Sequence, residues 1–92
     1  MVTMRVLVVD NERDSADTLG AVLMMRDPTL VVEVAYDGRR ALPEVLSGRF
    51  QAVILDLMMP GMRGDEVARN ARLQLRGGAP LLIALSGSVV ER

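Results

Sequence analysis

Three short stretches of the chain are apolar at every position: Val6 to Val9, Ala52 to Leu55 and Leu81 to Leu85. They are rich in Val, Ile and Leu and do not alternate with polar residues, which is the pattern of strands covered on both faces of a parallel sheet. A fourth stretch, Leu30 to Ala35, alternates in part around Glu33 and suits a strand nearer an edge. Between these runs the apolar spacing becomes helical. Asp14 to Arg26 places Ala16, Leu19, Val22 and Leu23 on one face, with Asp14 or Ser15 available as a cap. Asp65 to Leu75 places Val67, Ala68, Ala71 and Leu75 on one face, and Gly77-Gly78 is expected to end it. Arg39 to Leu46 is a poorer helix, because Pro43 lies inside it and lacks a backbone donor; a late start or a kink is expected there.

The predicted order is strand, helix, strand, helix, strand, helix, strand. Alternation with short connectors implies right-handed crossovers, hence an α/β protein with a doubly wound parallel sheet and helices on both faces. Ninety-two residues allow one domain. No repeat, low-complexity tract or linker interrupts it. A net charge of −1 argues against a general binder of nucleic acid or membrane surfaces. Cysteine and histidine are absent, which removes thiolate metal sites, disulfides and imidazole catalysis. The apolar run near the N-terminus is far too short to span a bilayer, so a cytoplasmic location is expected. All eleven basic residues are arginine.

Open parallel sheets bind ligands beyond the carboxyl ends of their strands. Asp10-Asn11-Glu12 follows the first strand, Asp56 ends the third, and Ser86-Gly87 follows the fourth. Two carboxylates and a hydroxyl are thereby expected at one end of the sheet. Oxygen ligands of this kind suit Mg²⁺. A carboxylate beside Mg²⁺ can attack phosphorus, because the metal offsets repulsion between the anions. Bland roles compete with these: Asp10 or Asn11 as a cap of the first helix, Ser86 as a cap of a following one, and Tyr36-Asp37-Gly38 as a strand exit and helix cap. Met58 and Met59 suit packing and backbone roles, and Arg63, Arg69, Arg72 and Arg76 a solvated helix face.

With these residues in place, the chain resembles the receiver domains of two-component signalling. The matching stretches are Arg5 to Asp10, Ala35 to Gly38, Ala52 to Gly64 and Leu82 to Ser86, so the resemblance covers essentially the whole chain. Its most specific part is Asp56 at the end of a buried strand, followed at fixed spacing by Met59-Pro60-Gly61 and Gly64. The resemblance implies a flavodoxin-like strand order. It implies Asp56 as phosphoacceptor and Asp10 as part of the acidic pair that holds Mg²⁺, with Met58 lending its backbone carbonyl. It implies Ser86 as the switch hydroxyl, and a sensor histidine kinase or phosphotransfer protein as partner.

The chain also departs from the family's pattern. The second acid of the pair is Asn11, an amide that can ligate Mg²⁺ but brings no charge. The family's fifth strand, fifth helix and strand-end lysine have no counterpart in these 92 residues, so a receiver domain over 1–92 is expected to be incomplete, ending within or before the fourth helix. Two readings follow. One is a phosphoacceptor signalling module that is not an enzyme in the usual sense, because it modifies only itself. The other is a degenerate receiver that acts as a phosphorylation-independent interaction or dimerisation module. A Mg²⁺-dependent phosphatase is disfavoured, because the position two residues beyond Asp56 is Met58 and not a second acid. In either reading Leu81 to Leu85 is expected to be an exposed edge through which the chain self-associates.

Overall fold

The structure is a computed structural model and describes residues 3–85. Strands β1 (Met4–Val9), β2 (Leu30–Ala35), β3 (Ala52–Asp56) and β4 (Leu81–Leu85) alternate with helices α1 (Arg13–Arg26), α2 (Gly38–Leu46) and α3 (Gly64–Leu75). One sheet holds all four strands in the order β2-β1-β3-β4, and every pairing is parallel. This is the doubly wound arrangement expected from the apolar pattern. The order reverses direction between β1 and β3, so their carboxyl ends flank the natural ligand crevice of such a sheet.

The principal core lies on the face of the sheet that carries α2 and α3. Leu7, Val9, Val53 and Leu55 meet Ala41 and Val45 of α2 and Val67, Ala68 and Ala71 of α3, with Phe50 and Met59 closing the edges. Alternation along a strand sends neighbours to opposite faces. Leu82 of β4 therefore packs against this core, while Leu81, Ile83 and Leu85 point to the face that carries α1 and stay 65%, 40% and 42% exposed. Helix α1 sits beside β2 and β1 rather than over β4, and buries Ala16 and Gly20. The expected α1 face is corrected accordingly: Leu19 and Leu23 are half-buried and Val22 is exposed. Gly20 faces Val32 and Val34, and a Cβ there would meet their methyl groups at 3.5 and 3.4 Å, ordinary van der Waals contact.

Three helix ends also differ from expectation. Neither Asp14 nor Ser15 caps α1; Glu12 occupies the N-cap and no side chain bonds there. Instead the Glu12 N–H donates at 2.9 Å to Oδ1 of Asp10, two residues earlier at the strand end. Helix α2 starts no later for containing Pro43, because Asp37 Oδ1 accepts from the N–H groups of Arg39 and Arg40 and fixes its first turn. Helix α3 stops at Leu75 as expected, but the positive φ of 52 falls on Arg76 rather than on Gly77-Gly78, and Arg76–Gly78 forms a single 3₁₀ turn.

Candidate functional site

Asp10 and Asp56 are brought together at the carboxyl ends of adjacent strands. The ladder sets their positions. Val9 pairs with Leu55 across β1 and β3, so the next residue of each strand emerges at the same level. The Asp10 N–H donates to the Ala35 carbonyl at 3.0 Å, and the Leu57 N–H donates to the Leu85 carbonyl at 3.0 Å. Each carboxylate thus stands on a backbone tied to a neighbouring strand on its outer side.

Asp56 is 8% exposed and is the only buried charged residue among those described. Its Oδ1 accepts the Met58 N–H at 3.0 Å, which turns the chain immediately after β3. Asp10 is less deeply placed. Its carboxyl is held above the ordinary 3.8, chiefly by burial and further by hydrogen bonding to and repulsion from Asp56, while the Glu12 N–H works against the shift. Two carboxylates facing each other need a proton or a cation between them. The donor set is all oxygen, which fits Mg²⁺. Among the described residues no three acidic, His or Cys side chains gather as a metal site, so the acidic count here is two.

The turn that follows Asp56 explains its motif. Gly61 adopts φ +74, a conformation that L side chains rarely adopt, directly after Pro60. Gly64, the first residue of α3, lies against the backbone of Asp56: a Cβ there would overlap the Asp56 carbonyl oxygen and press on Leu57. The glycine eight positions after the aspartate is a packing requirement at the site, not a flexible joint. Arg63 N–H donates to Glu66 Oε1 at 2.9 Å and starts the helix behind it.

The remaining site residues fare differently. Met58 donates its backbone N–H to Asp56 and is 57% exposed, whereas Met59 is buried in the core. Asn11 is exposed and lines a cavity next to the acidic pair. Ser86 lies outside the described residues. Tyr36-Asp37-Gly38 does serve as strand exit and cap, but the sequence reading missed what Tyr36 gathers. Its hydroxyl donates to Asp17 Oδ1 at 2.5 Å, and the Arg13 guanidinium stacks 4.1 Å from its ring centroid. The acceptor Asp17 holds the Tyr36 hydroxyl above its ordinary pKa. Arg13 and Asp17, four residues apart on a helix, were the signal available in the sequence.

The family described as Response regulator receiver domain matches residues 6–89. The chain is similar to the Response regulator MprA of Mycolicibacterium vanbaalenii, with 40% identity over 88 residues, 96% of this chain and 37% of that protein. It thus spans little more than a third of the length of that curated relative. Among solved structures it resembles the receiver domain of the histidine kinase CKI1 from Arabidopsis thaliana complexed with Mg²⁺ and BeF₃⁻, at TM-score 0.83 and 28% identity, over 96% of this chain and 68% of that one. It also resembles a chain in the crystal structure of histidine kinase ThkA with response regulator protein TrrA, at TM-score 0.81 and 32% identity, over 98% of this chain and 74% of that one.

Proposed function

The chain belongs to the response-regulator receiver family, and on that premise we propose that Asp56 accepts a phosphoryl group from a histidine kinase, with Mg²⁺ held by Asp10, Asp56, the Asn11 amide and the Met58 carbonyl. The observation that carries this reading is the facing pair Asp10 and Asp56 at the strand-order reversal, with Asp56 buried and Asp10 shifted toward its protonated form. Asp56 Oδ1 is engaged by the Met58 N–H, which leaves Oδ2 to attack phosphorus. The new bond joins Oδ2 to phosphorus, the bond from phosphorus to the donor's imidazole nitrogen breaks, and the imidazole leaves with that electron pair. Mg²⁺ supplies positive charge that offsets repulsion between the carboxylate and the incoming phosphoryl group. Ser86 donates to a phosphoryl oxygen once transfer is complete. The Mg²⁺ complex of a similar receiver supports the metal, and the kinase complex of a similar chain supports the donor. The module works in the cytoplasm, binds no nucleic acid by itself, and modifies only itself. No described helix is long and apolar enough to cross a membrane.

These 92 residues contain no lysine. Loss of a positioned cationic donor at developing charge costs a factor of about 10² to 10³ in rate. The isolated chain therefore labels slowly. Incubation with acetyl phosphate and Mg²⁺, followed by intact-mass measurement, should show a single acid-stable, base-labile phosphoryl group that Asp56→Asn abolishes. Labelling that survives Asp56→Asn, or that ignores Mg²⁺, would refute the assignment. A second reading, an interaction module that works without phosphorylation, draws on β4, whose apolar residues are exposed along the sheet edge. On that reading the chain self-associates through β4.

A further inference from the structure

We propose that the cleft between the start of α1 and the start of α2 binds a small phosphate-bearing anion, gripped by Arg13 and Arg40. A cavity of about 370 Å³ opens there, lined by Asn11, Arg13, Tyr36, Asp37 and Arg40. That volume is within the range of pockets that hold small molecules. Its wall includes Asn11, the residue after Asp10, but neither Asp10 nor Asp56 lines it.

Arg5, Arg49 and Arg63 each form an ion pair, whereas among the described residues Arg13 and Arg40 form none within 4.0 Å. The acids near them are committed elsewhere. Asp37 accepts from the N–H groups of Arg39 and Arg40 as the cap of α2, at 2.7 and 3.3 Å. Asp17 accepts the Tyr36 hydroxyl. Glu44, one turn beyond Arg40 on α2, is held by Arg49. Among the described residues the two guanidinium groups thus share one cavity wall without an ion pair, with Asp37 as the one carboxylate beside them.

Their presentation suits a phosphate. The Arg13 guanidinium lies 4.1 Å from the Tyr36 ring centroid, a cation–π contact that holds it at the cavity wall. A guanidinium edge matches two phosphoryl oxygens in a bidentate contact, and a stacked one loses less freedom on binding. Arg13 and Arg40 together with the Asp37 carboxylate leave the lining one net positive charge, and the Asn11 amide adds further donors.

The test uses the full 92-residue chain carrying Asp56→Ala, without divalent metal, so that the phosphoacceptor does not contribute. Titration with pyrophosphate, followed by amide NMR, should give saturable shifts centred on Asn11, Arg13, Tyr36 and Arg40. Arg13→Gln and Arg40→Gln should each weaken binding about tenfold, the loss of one charge-assisted contact. Both side chains are exposed, and unchanged spectra outside the cleft report that the fold is intact. Inorganic phosphate should bind the same residues more weakly, and acetate should not compete. Shifts that fail to saturate, shifts confined to Asp10, arginine variants that bind as the parent does, or acetate binding as tightly as pyrophosphate would each overturn the proposal.

Discussion

Replacing Gly64 by alanine tests whether the spacing from Asp56 to Gly64 is set by packing. A Cβ at this position meets the carbonyl oxygen and carbon of Asp56 and the Cα of Leu57, all backbone atoms, so no flexible side chain can swing aside. Overpacking of this kind costs about 3 kcal/mol when backbone must shift. The substitution also removes freedom from the unfolded chain and suits the first turn of α3, which returns about 1 kcal/mol. The net expectation is a loss of about 2 kcal/mol, or about 10 °C in Tm for a domain of this size. Gly77 is the control, because a Cβ there meets nothing within 4 Å. Urea melts of both variants and the parent separate the two cases: Gly64→Ala should shift the midpoint down, and Gly77→Ala should stay within about 0.5 kcal/mol of the parent. The shifted backbone belongs to Asp56, so labelling by acetyl phosphate should fall in Gly64→Ala beyond what the unfolded fraction explains. A Gly64→Ala protein as stable as the parent would refute the packing argument.

Asp10→Asn should stabilise the metal-free protein at neutral pH, by less than about 1 kcal/mol, because solvent screens a partly exposed group. The sign follows from the raised carboxyl: stability from a group that binds its proton more tightly when folded is present below the ordinary 3.8 and is lost as pH rises through the folded value. The gain should therefore vanish near pH 3.8, and added Mg²⁺ should stabilise the parent but not the variant, as read by urea midpoints. Arg76→Gly should raise stability by about 1 kcal/mol, because φ 52 with ψ −122 is a conformation suited to glycine; an unchanged melt would count against strain there. Covering Leu81, Ile83 and Leu85 in a second copy is worth about 3 kcal/mol per protomer, about 6 kcal/mol per dimer and less than the ~8 kcal/mol a micromolar dimer needs, so sedimentation toward millimolar concentration should show weak, reversible self-association that Leu81→Lys with Ile83→Lys abolishes. A monomer in the parent would count against the edge as the contact.

The sequence alone determined the elements and their type. Unbroken runs of Val, Ile and Leu do not suit a half-exposed strand, and helical spacing between them leaves a parallel sheet as the simple outcome. It also placed Asp10 and Asp56 at strand ends, because a charged residue that stops an apolar run marks where the strand leaves the core. Gly64 was visible as a spaced glycine. That it presses on the Asp56 carbonyl was not visible, since the approach depends on how α3 returns over β3. The buried face of α1 was misjudged for a similar reason: helical periodicity ranks positions by hydrophobicity, but burial depends on which strands the helix lies over. Placed beside β2 and β1, α1 hides Gly20 and leaves Val22 in water. Tyr36, Asp17 and Arg13 meet across a crossover, and Arg40 joins their cavity from the next helix. Local pattern fixes what each segment becomes, because strand and helix depend on near neighbours. Which charges end up paired and which stay free depends on distances between remote segments, and only the assembled sheet sets those.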